Sequence, residues 1–309
     1  MATLSTITRM GARSECLPLL VPPPPLVWHL VFLTRSPPPS PAPASCNLTK
    51  YKDKSPITTR LYANLQGVVA AAAGVPGAEG VLLTLEETAC SSGGGCENVT
   101  DRFIAGWAWM TTLNTVAEAG FHRVHRQDIA GWSFAFGMSH YMLLGPAGWT
   151  NGSHATLTPH PDYYLTVLFR QLVGSVLLPS SLSPDAPDTL DLHAWCSGPR
   201  SPAGAGGVVV TYVNYNAKDA AVSLPPALAS APATLYSLTA TPSGTPEEYL
   251  ASDVVYLNGV ALTVDAAGNL PAYPIPGKAF TGGATLSIPG YSYGFVVFGG
   301  SFGVCTGKN

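Results

Sequence analysis

The sequence predicts an α/β part followed by an all-β part: a partial (β/α)8 TIM-type barrel and then a C-terminal β-sandwich. Three observations predict it. Between residues 57 and 179, apolar runs at helical spacing alternate with short β-rich runs, the grammar of a β/α unit. Beyond Pro179 the pattern changes to short β-rich runs separated by Gly, Pro, Asn and Asp, as in a sandwich. A composition of 46% hydrophobic and 11% charged residues over 309 positions is that of a folded chain with a sizeable core.

Residues 1–56 carry Pro22 to Pro25, Pro37 to Pro39, Pro41 and Pro43 with no helical or alternating period, and read as a poorly ordered leader. Leu61, Leu65, Val68, Val69 and Ala72 then recur at helical spacing up to Gly74, which predicts a helix over 58–73. A strand is expected over 80–85, followed by the polar, glycine-rich stretch from Glu87 to Gly95. Thr100 or Asp101 is expected to cap a helix whose inner face is Phe103, Ile104, Trp107, Met110 and Leu113 and which Gly120 stops. Phe121 to Arg126 reads as a strand. Pro161 opens a helix with Tyr164, Leu165, Leu168, Phe169 and Leu172 on one face. In the region 180–309 the clearest strands are Val208 to Tyr215, Ala233 to Leu238, Val254 to Leu257, Val260 to Val264 and Tyr293 to Phe298, and the boundary is placed near 180. A closed eight-fold barrel takes about 250 residues, so at most three βα units are expected here. Either a partial barrel stands with its sheet edge open, or the chain is an incomplete copy of a larger protein.

Fifteen Lys and Arg against 18 Asp and Glu give a net charge of −3, which excludes binding of nucleic acid or another polyanion by overall charge. Six cysteines fit no zinc spacing, since no CxxC pair exists, and disulfides are the better reading. Sequons at Asn47, Asn98 and Asn151 agree with an extracellular or secretory-pathway location. Arg9 and Arg13 precede an apolar stretch from Leu17 to Phe32 that Pro22 to Pro25 interrupt. It is therefore no clear signal peptide, and neither piece spans a bilayer.

The chemistry points to Glu87, an acid delivered by a short buried strand into a loop of exposed amides, at the rim where α/β barrels keep their active sites. His122 and His125 could form a metal pair, but Arg123 and Arg126 beside them favour a solvated edge, and no metal is expected. Trp107, Trp109 and Trp132 could stack on sugar rings; the helical spacing of Phe103, Trp107 and Met110 favours core packing.

Leu85-Glu86-Glu87-Thr88 with Gly93-Gly94-Gly95 resembles the nucleophile segment of the heparanase-like glycoside hydrolases, family 79. The likeness continues through Arg126-Gln127, Pro161-Asp162-Tyr163-Tyr164, Leu168-Phe169-Arg170-Gln171-Leu172-Val173-Gly174, Leu257-Asn258-Gly259 and Ile288-Pro289-Gly290-Tyr291-Ser292-Tyr293-Gly294-Phe295, over residues 57–305. The resemblance implies a retaining hydrolase of glucuronic-acid-containing glycans, or β-glucuronidase, with Glu87 as nucleophile. It makes the amides of Gly93 and Gly94 a cradle for the uronic carboxylate, and Gln127 and Tyr141 sugar contacts. Trp28-His29 faintly resembles a motif on an earlier barrel strand, in proline-rich surroundings unlike the family. Cys196 and Cys305 match the pair that links the start of the family's sandwich to its last strand, and Cys90 and Cys96 could staple the glycine loop.

One departure is serious. The family's general acid belongs to an Asn-Glu pair well over a hundred residues upstream of the nucleophile, and here the upstream glutamates Glu15, Glu79 and Glu86 have no Asn before them. Glu86 adjoins Glu87 and should face the other way along a strand. The alternatives are an active hydrolase, a non-catalytic extracellular glycan binder with peripheral membrane or cell-wall association, and a truncated product. No cofactor is implied, because the hydrolysis needs only water and two acids.

Overall fold

The computed structural model describes residues 5–7, 29–31 and 47–306, apart from 79, 90, 92–93, 131, 134–136, 147–156, 181, 183–186, 242–243 and 282. Strands β1 (Ser5–Ile7), β2 (His29–Val31), β3 (Thr84–Thr88) and β4 (Arg123–Arg126) form a parallel sheet in that order. Parallel neighbours need a crossover on one face. Between β2 and β3 the chain passes through α1 (Leu48–Tyr51), a π-helical turn Pro56–Leu61 and α2 (Tyr62–Ala73). Helix α3 (Phe103–Glu118) connects β3 to β4. Leu65 of α2 and Val116 of α3 pack on Leu83, Leu85 and Phe121, with Leu61, Val68, Val69 and Ala72 against them, which is the apolar face expected from the spacing.

The stretch 1–56, expected as a leader, holds three described elements, β1, β2 and α1. Most of it lies outside the described residues, but β1 and β2 are strands of the sheet, and His29 lies opposite Thr84 of β3. A three-residue strand among prolines shows no period of its own, and only the neighbouring strand defines it. Among the described residues the parallel sheet thus has four strands, of which β2, β3 and β4 are each followed by a helix. Strand β3 also runs later than expected, from Thr84 to Thr88, so Glu87 lies within it. Arg102, extended at φ −119°, caps α3 in place of Thr100 or Asp101, because Thr100 is committed to holding the preceding loop.

After β4 come two short hairpins, β5–β6 (Trp132–Ser133 with Gly137–Met138) and β7–β8 (Leu144–Pro146 with Leu157–Pro159), and then α4 (Pro161–Leu172). Helix α4 passes without a loop into β9 (Val173–Leu178), which pairs with β10 (Leu190–Ser197). The antiparallel part continues with β11 (Val208–Asn214), β12 (Ala220–Ser223), α5 (Pro226–Ala229), β13 (Pro232–Thr239), α6 (Pro246–Leu250), β14 (Val255–Leu257) and β15 (Val260–Leu262). It ends with β16 (Lys278–Thr281), β17 (Thr285–Ile288), β18 (Ser292–Phe298) and α7 (Gly303–Thr306). Among the described residues the large sheet has the order β15-β14-β13-β18-β11-β10-β9 with β16 also on β13, and β12 pairs with β17 apart from it. The sheet therefore begins at Val173, ahead of the expected boundary at 180. Val173 is both the C-cap of α4 and the first residue of β9, so no loop marks the change in the sequence.

The large sheet is covered on both faces. On one, Val208, Val210, Tyr212, Val296 and Phe298 pack against Leu286 and Ile288 of β17, with Val222 of β12 alongside. On the other, Trp195, Val209, Val213, Phe295 and Val297 share a core with Phe103, Trp107, Leu165, Leu168 and Leu172 of α3 and α4. Helix α3 is consequently buried nearly all round rather than along one stripe, as a helix between two sheets must be. Gly106 permits the close approach: a Cβ there would stand 2.4 Å from the ring of Tyr293. Polar links fix the same interface, with Thr111 bonded to Asp191 and Tyr215, and Asn114 accepting from Trp195 and Thr211. The disulfide Cys196–Cys305, with Cα atoms 5.3 Å apart, ties β10 to α7. Closing a loop of 109 residues, it contributes about 4 to 5 kcal/mol in the chain-entropy model. No helix among the described residues is long and apolar enough to cross a membrane.

Candidate active site

Glu87 lies near the C-terminal end of β3, half-buried. Leu85 faces Val124 and Thr88 faces Arg126, so three residues of β3 run against two of β4 and the strand bulges at Glu86 and Glu87. A bulge re-aims side chains, and strict alternation of these two glutamates no longer follows from their being neighbours. The Gln127 N–H donates to the Thr88 carbonyl at 2.9 Å, which holds the end of β4 beside the Glu87 tip.

The glycine loop after β3 is fastened to the segment that carries Tyr141. The hydroxyl of fully buried Thr100 accepts from the Cys96 N–H at 2.8 Å and donates to the His140 carbonyl at 3.0 Å. The His140 N–H donates to the Gly94 carbonyl at 2.5 Å. Gly95 sits at φ +84°, where a Cβ would meet the Thr100 hydroxyl at 2.5 Å and the Tyr141 nitrogen at 2.9 Å, so both conformation and space demand glycine. Gly94 is buried, while Gly93 lies outside the described residues. Cys96 is disulfide-bonded; Cys90, expected as its partner, also lies outside the described residues.

Arg126 organises the other wall. Its guanidinium donates to Asp162 Oδ2 at 2.7 Å, to the Tyr141 carbonyl at 2.6 Å and to the Gln127 carbonyl, and it lies over the Trp109 ring at 5.0 Å. Its side chain is 6% exposed and that of Asp162 is fully buried, so this is a desolvated ion pair and not the solvated edge expected from the charged neighbours. Asp162 stands in the first turn of α4, where the helix dipole favours a carboxylate. His122 and His125 are exposed, as a solvated edge requires. Trp107 and Trp109 are core residues, 0% and 2% exposed, with the Trp109 N–H bonded to Thr166. Trp132 begins β5.

Tyr141, 8% exposed, is where these elements meet. Its phenol is pushed above the ordinary tyrosine range, first by burial, then by the charge of Asp128 and further by that of Glu87, while the charge of Arg126 pulls the other way. Glu87, Asp128 and Tyr141 are therefore electrostatic neighbours at the ends of β3 and β4. Of the expected site residues, Glu87, Gly94, Gln127 and Tyr141 come together here. Sequence reasoning did not select Arg126, Asp128, Thr100 or Asp162. The Arg126-Gln127 and Pro161-Asp162 pairs were signals for two of them, but nothing in the sequence says that they meet.

No family model matches the chain. It is 32% identical to mouse heparanase over 214 residues, 69% of this chain and 36% of that protein. The chain belongs to the heparanase-like glycoside hydrolases. It is also 28% identical to human inactive heparanase-2 over 229 residues, 71% of this chain and 35% of that one. With the baicalin-β-D-glucuronidase of Scutellaria baicalensis it shares 25% over 240 residues, 77% and 39% of the two chains. Among solved structures, a 4-O-α-L-rhamnosyl-β-D-glucuronidase from Fusarium oxysporum matches with a TM-score of 0.54 at 14% identity, covering 82% of this chain and 50% of that one, a likeness of fold. The chain thus spans a little over a third of the length of the curated relatives it matches.

Proposed function

We propose that this chain carries the nucleophile half of a retaining glycoside hydrolase acting on glucuronic-acid-containing glycans. The observation that supports this most is the placement of Glu87 at the tip of a parallel strand beside the buried Tyr141 phenol. In this reading the four-stranded parallel module is part of a barrel and the antiparallel sheets form a sandwich behind it. The Glu87 carboxylate attacks the anomeric carbon as the glycosidic bond breaks, and water then hydrolyses the glycosyl ester with net retention. The backbone N–H groups of Gly93 and Gly94 hold the uronic carboxylate, with Gln127 and Tyr141 against the sugar. A Cys90–Cys96 bridge staples that loop. Secretion fits the same reading, since disulfides persist in oxidising compartments.

A retaining mechanism needs a second carboxyl about 5 to 5.5 Å from the first, and the family's Asn-Glu pair has no counterpart upstream of Glu87. The likeness to an inactive relative favours a second reading: a glycan-binding protein without turnover. Leaving-group chemistry separates the two. Dinitrophenolate departs without being protonated, so Glu87 alone should cleave 2,4-dinitrophenyl β-D-glucuronide, and added azide should release the trapped sugar as the β-glucuronyl azide. Methyl β-D-glucuronide, which needs an acid, should resist. Glu87→Gln should abolish the dinitrophenolate release; release that survives this substitution sinks the assignment, and no release at all from the folded native chain selects the non-catalytic reading.

A further inference from the structure

Helix α4 also borders a cavity of about 410 Å³ that is lined by none of Glu87, Arg126, Asp128 or Tyr141. Tyr163, Tyr164 and Arg170 of α4 form one wall, Leu270 and Tyr273 the other, and Arg200 closes it from the turn after β10. The far wall is pinned to the helix by a pair of hydrogen bonds: the Gln171 side chain donates to the Ile275 carbonyl and accepts from the Ile275 N–H, both at 2.9 Å and both buried. Tyr163 is braced edge-on against Tyr164, with centroids 5.5 Å apart. Tyr273 and Leu270 are 54% and 45% exposed at the rim.

Arg170 and Arg200 are both exposed, and among the described residues neither has an ion-pair or hydrogen-bond partner. Two uncommitted guanidinium groups beside tyrosine rings, in a chain of net charge −3, form a local contrast to the overall charge. We propose that this cavity is a second binding site, for an anionic pyranose unit bearing a carboxylate or a sulfate. The apolar C–H face of the sugar stacks on the tyrosine rings, whose hydroxyls meet its hydroxyl edge, and the two guanidinium forks take the anion. The volume falls in the range of small-ligand sites, and the pinned wall means little is lost in ordering it. The site does not rest on Glu87 being a nucleophile.

Calorimetric titration of the full chain with glucose 6-sulfate, D-glucuronate and methyl β-D-glucopyranoside tests this. The two anions should bind one to one, on the order of millimolar, and the neutral glucoside at least about tenfold more weakly, as loss of a charge-assisted contact implies. Arg170→Ala and Arg200→Ala should each weaken the anions about tenfold, and Tyr273→Ala should weaken both sugar classes; far-UV circular dichroism should be unchanged, since all three side chains are exposed. Glu87→Gln should leave binding intact. Binding that ignores both arginine substitutions, that vanishes in Glu87→Gln, or that is absent up to tens of millimolar overturns the proposal, as does benzenesulfonate binding more tightly than the sugar anions.

Discussion

At the scale of single residues the buried Arg126–Asp162 pair decides more than any surface charge. Fully desolvated ions are tolerated only while each has its partner, and removing one leaves the other buried and uncompensated. Asp162→Ala should therefore destabilise the protein by about 3 to 5 kcal/mol, measured by urea denaturation, and should disorder Tyr141, whose carbonyl the same guanidinium holds. A milder loss would mean that water reaches Arg126. The buried phenols make a second statement. Burial pushes Tyr164 and Tyr212 up to about 12, and Tyr215 and Tyr293 higher still. The folded chain keeps these protons where the unfolded chain, with ordinary phenols near 10, releases them. The phenols' contribution to stability should thus be constant below pH about 10 and be lost progressively as pH rises from about 10 through 12. Absorbance at 295 nm should show fewer tyrosinates at pH 11 in the native protein than in urea.

At the scale of elements, the glycine loop is held by its contacts more than by its composition. The sequence marks Gly93 to Gly95 as part of a polar, glycine-rich stretch, and the structure shows why one of them is irreplaceable: Gly95 packs against the Tyr141 backbone at positive φ. Gly95→Ala should cost about 1 to 3 kcal/mol and displace Tyr141, which fluorescence-monitored unfolding and dinitrophenyl glucuronide turnover would report together. Intact stability with lost turnover would instead assign the loop a purely catalytic role. Helices α2 and α4 were legible in the sequence because each has one apolar face, whereas α3 was legible as a helix but not in its surroundings, since burial on every side leaves no stripe to read. Strand β9 was hidden because it follows α4 directly at Val173.

At the scale of the whole molecule, the α/β and all-β parts share one core. Cutting the chain at 180 would remove β9 and the two helices that cover Trp195, Val209, Val213, Phe295 and Val297. The fragment 180–309 is expected to bind 8-anilinonaphthalene-1-sulfonate strongly and to lack a cooperative thermal transition; a sharp transition from that fragment would show that the sheet is self-sufficient. Similarly, Cys305→Ser should lower stability by up to about 4 to 5 kcal/mol, read as a lower denaturant midpoint.

The sequence by itself determined the alternation of strand and helix before residue 180 and the β-rich region after it, and singled out Glu87 with its glycines as the candidate chemical centre, because periodicity, turn residues and a local motif are written within a few positions of one another. The tertiary structure alone decided that His29–Val31 pairs beside β3, that Arg126 is buried against Asp162, and that Tyr141 stands within the field of Glu87. These are relations between residues tens of positions apart, fixed by which surfaces pack together, and no local period records them.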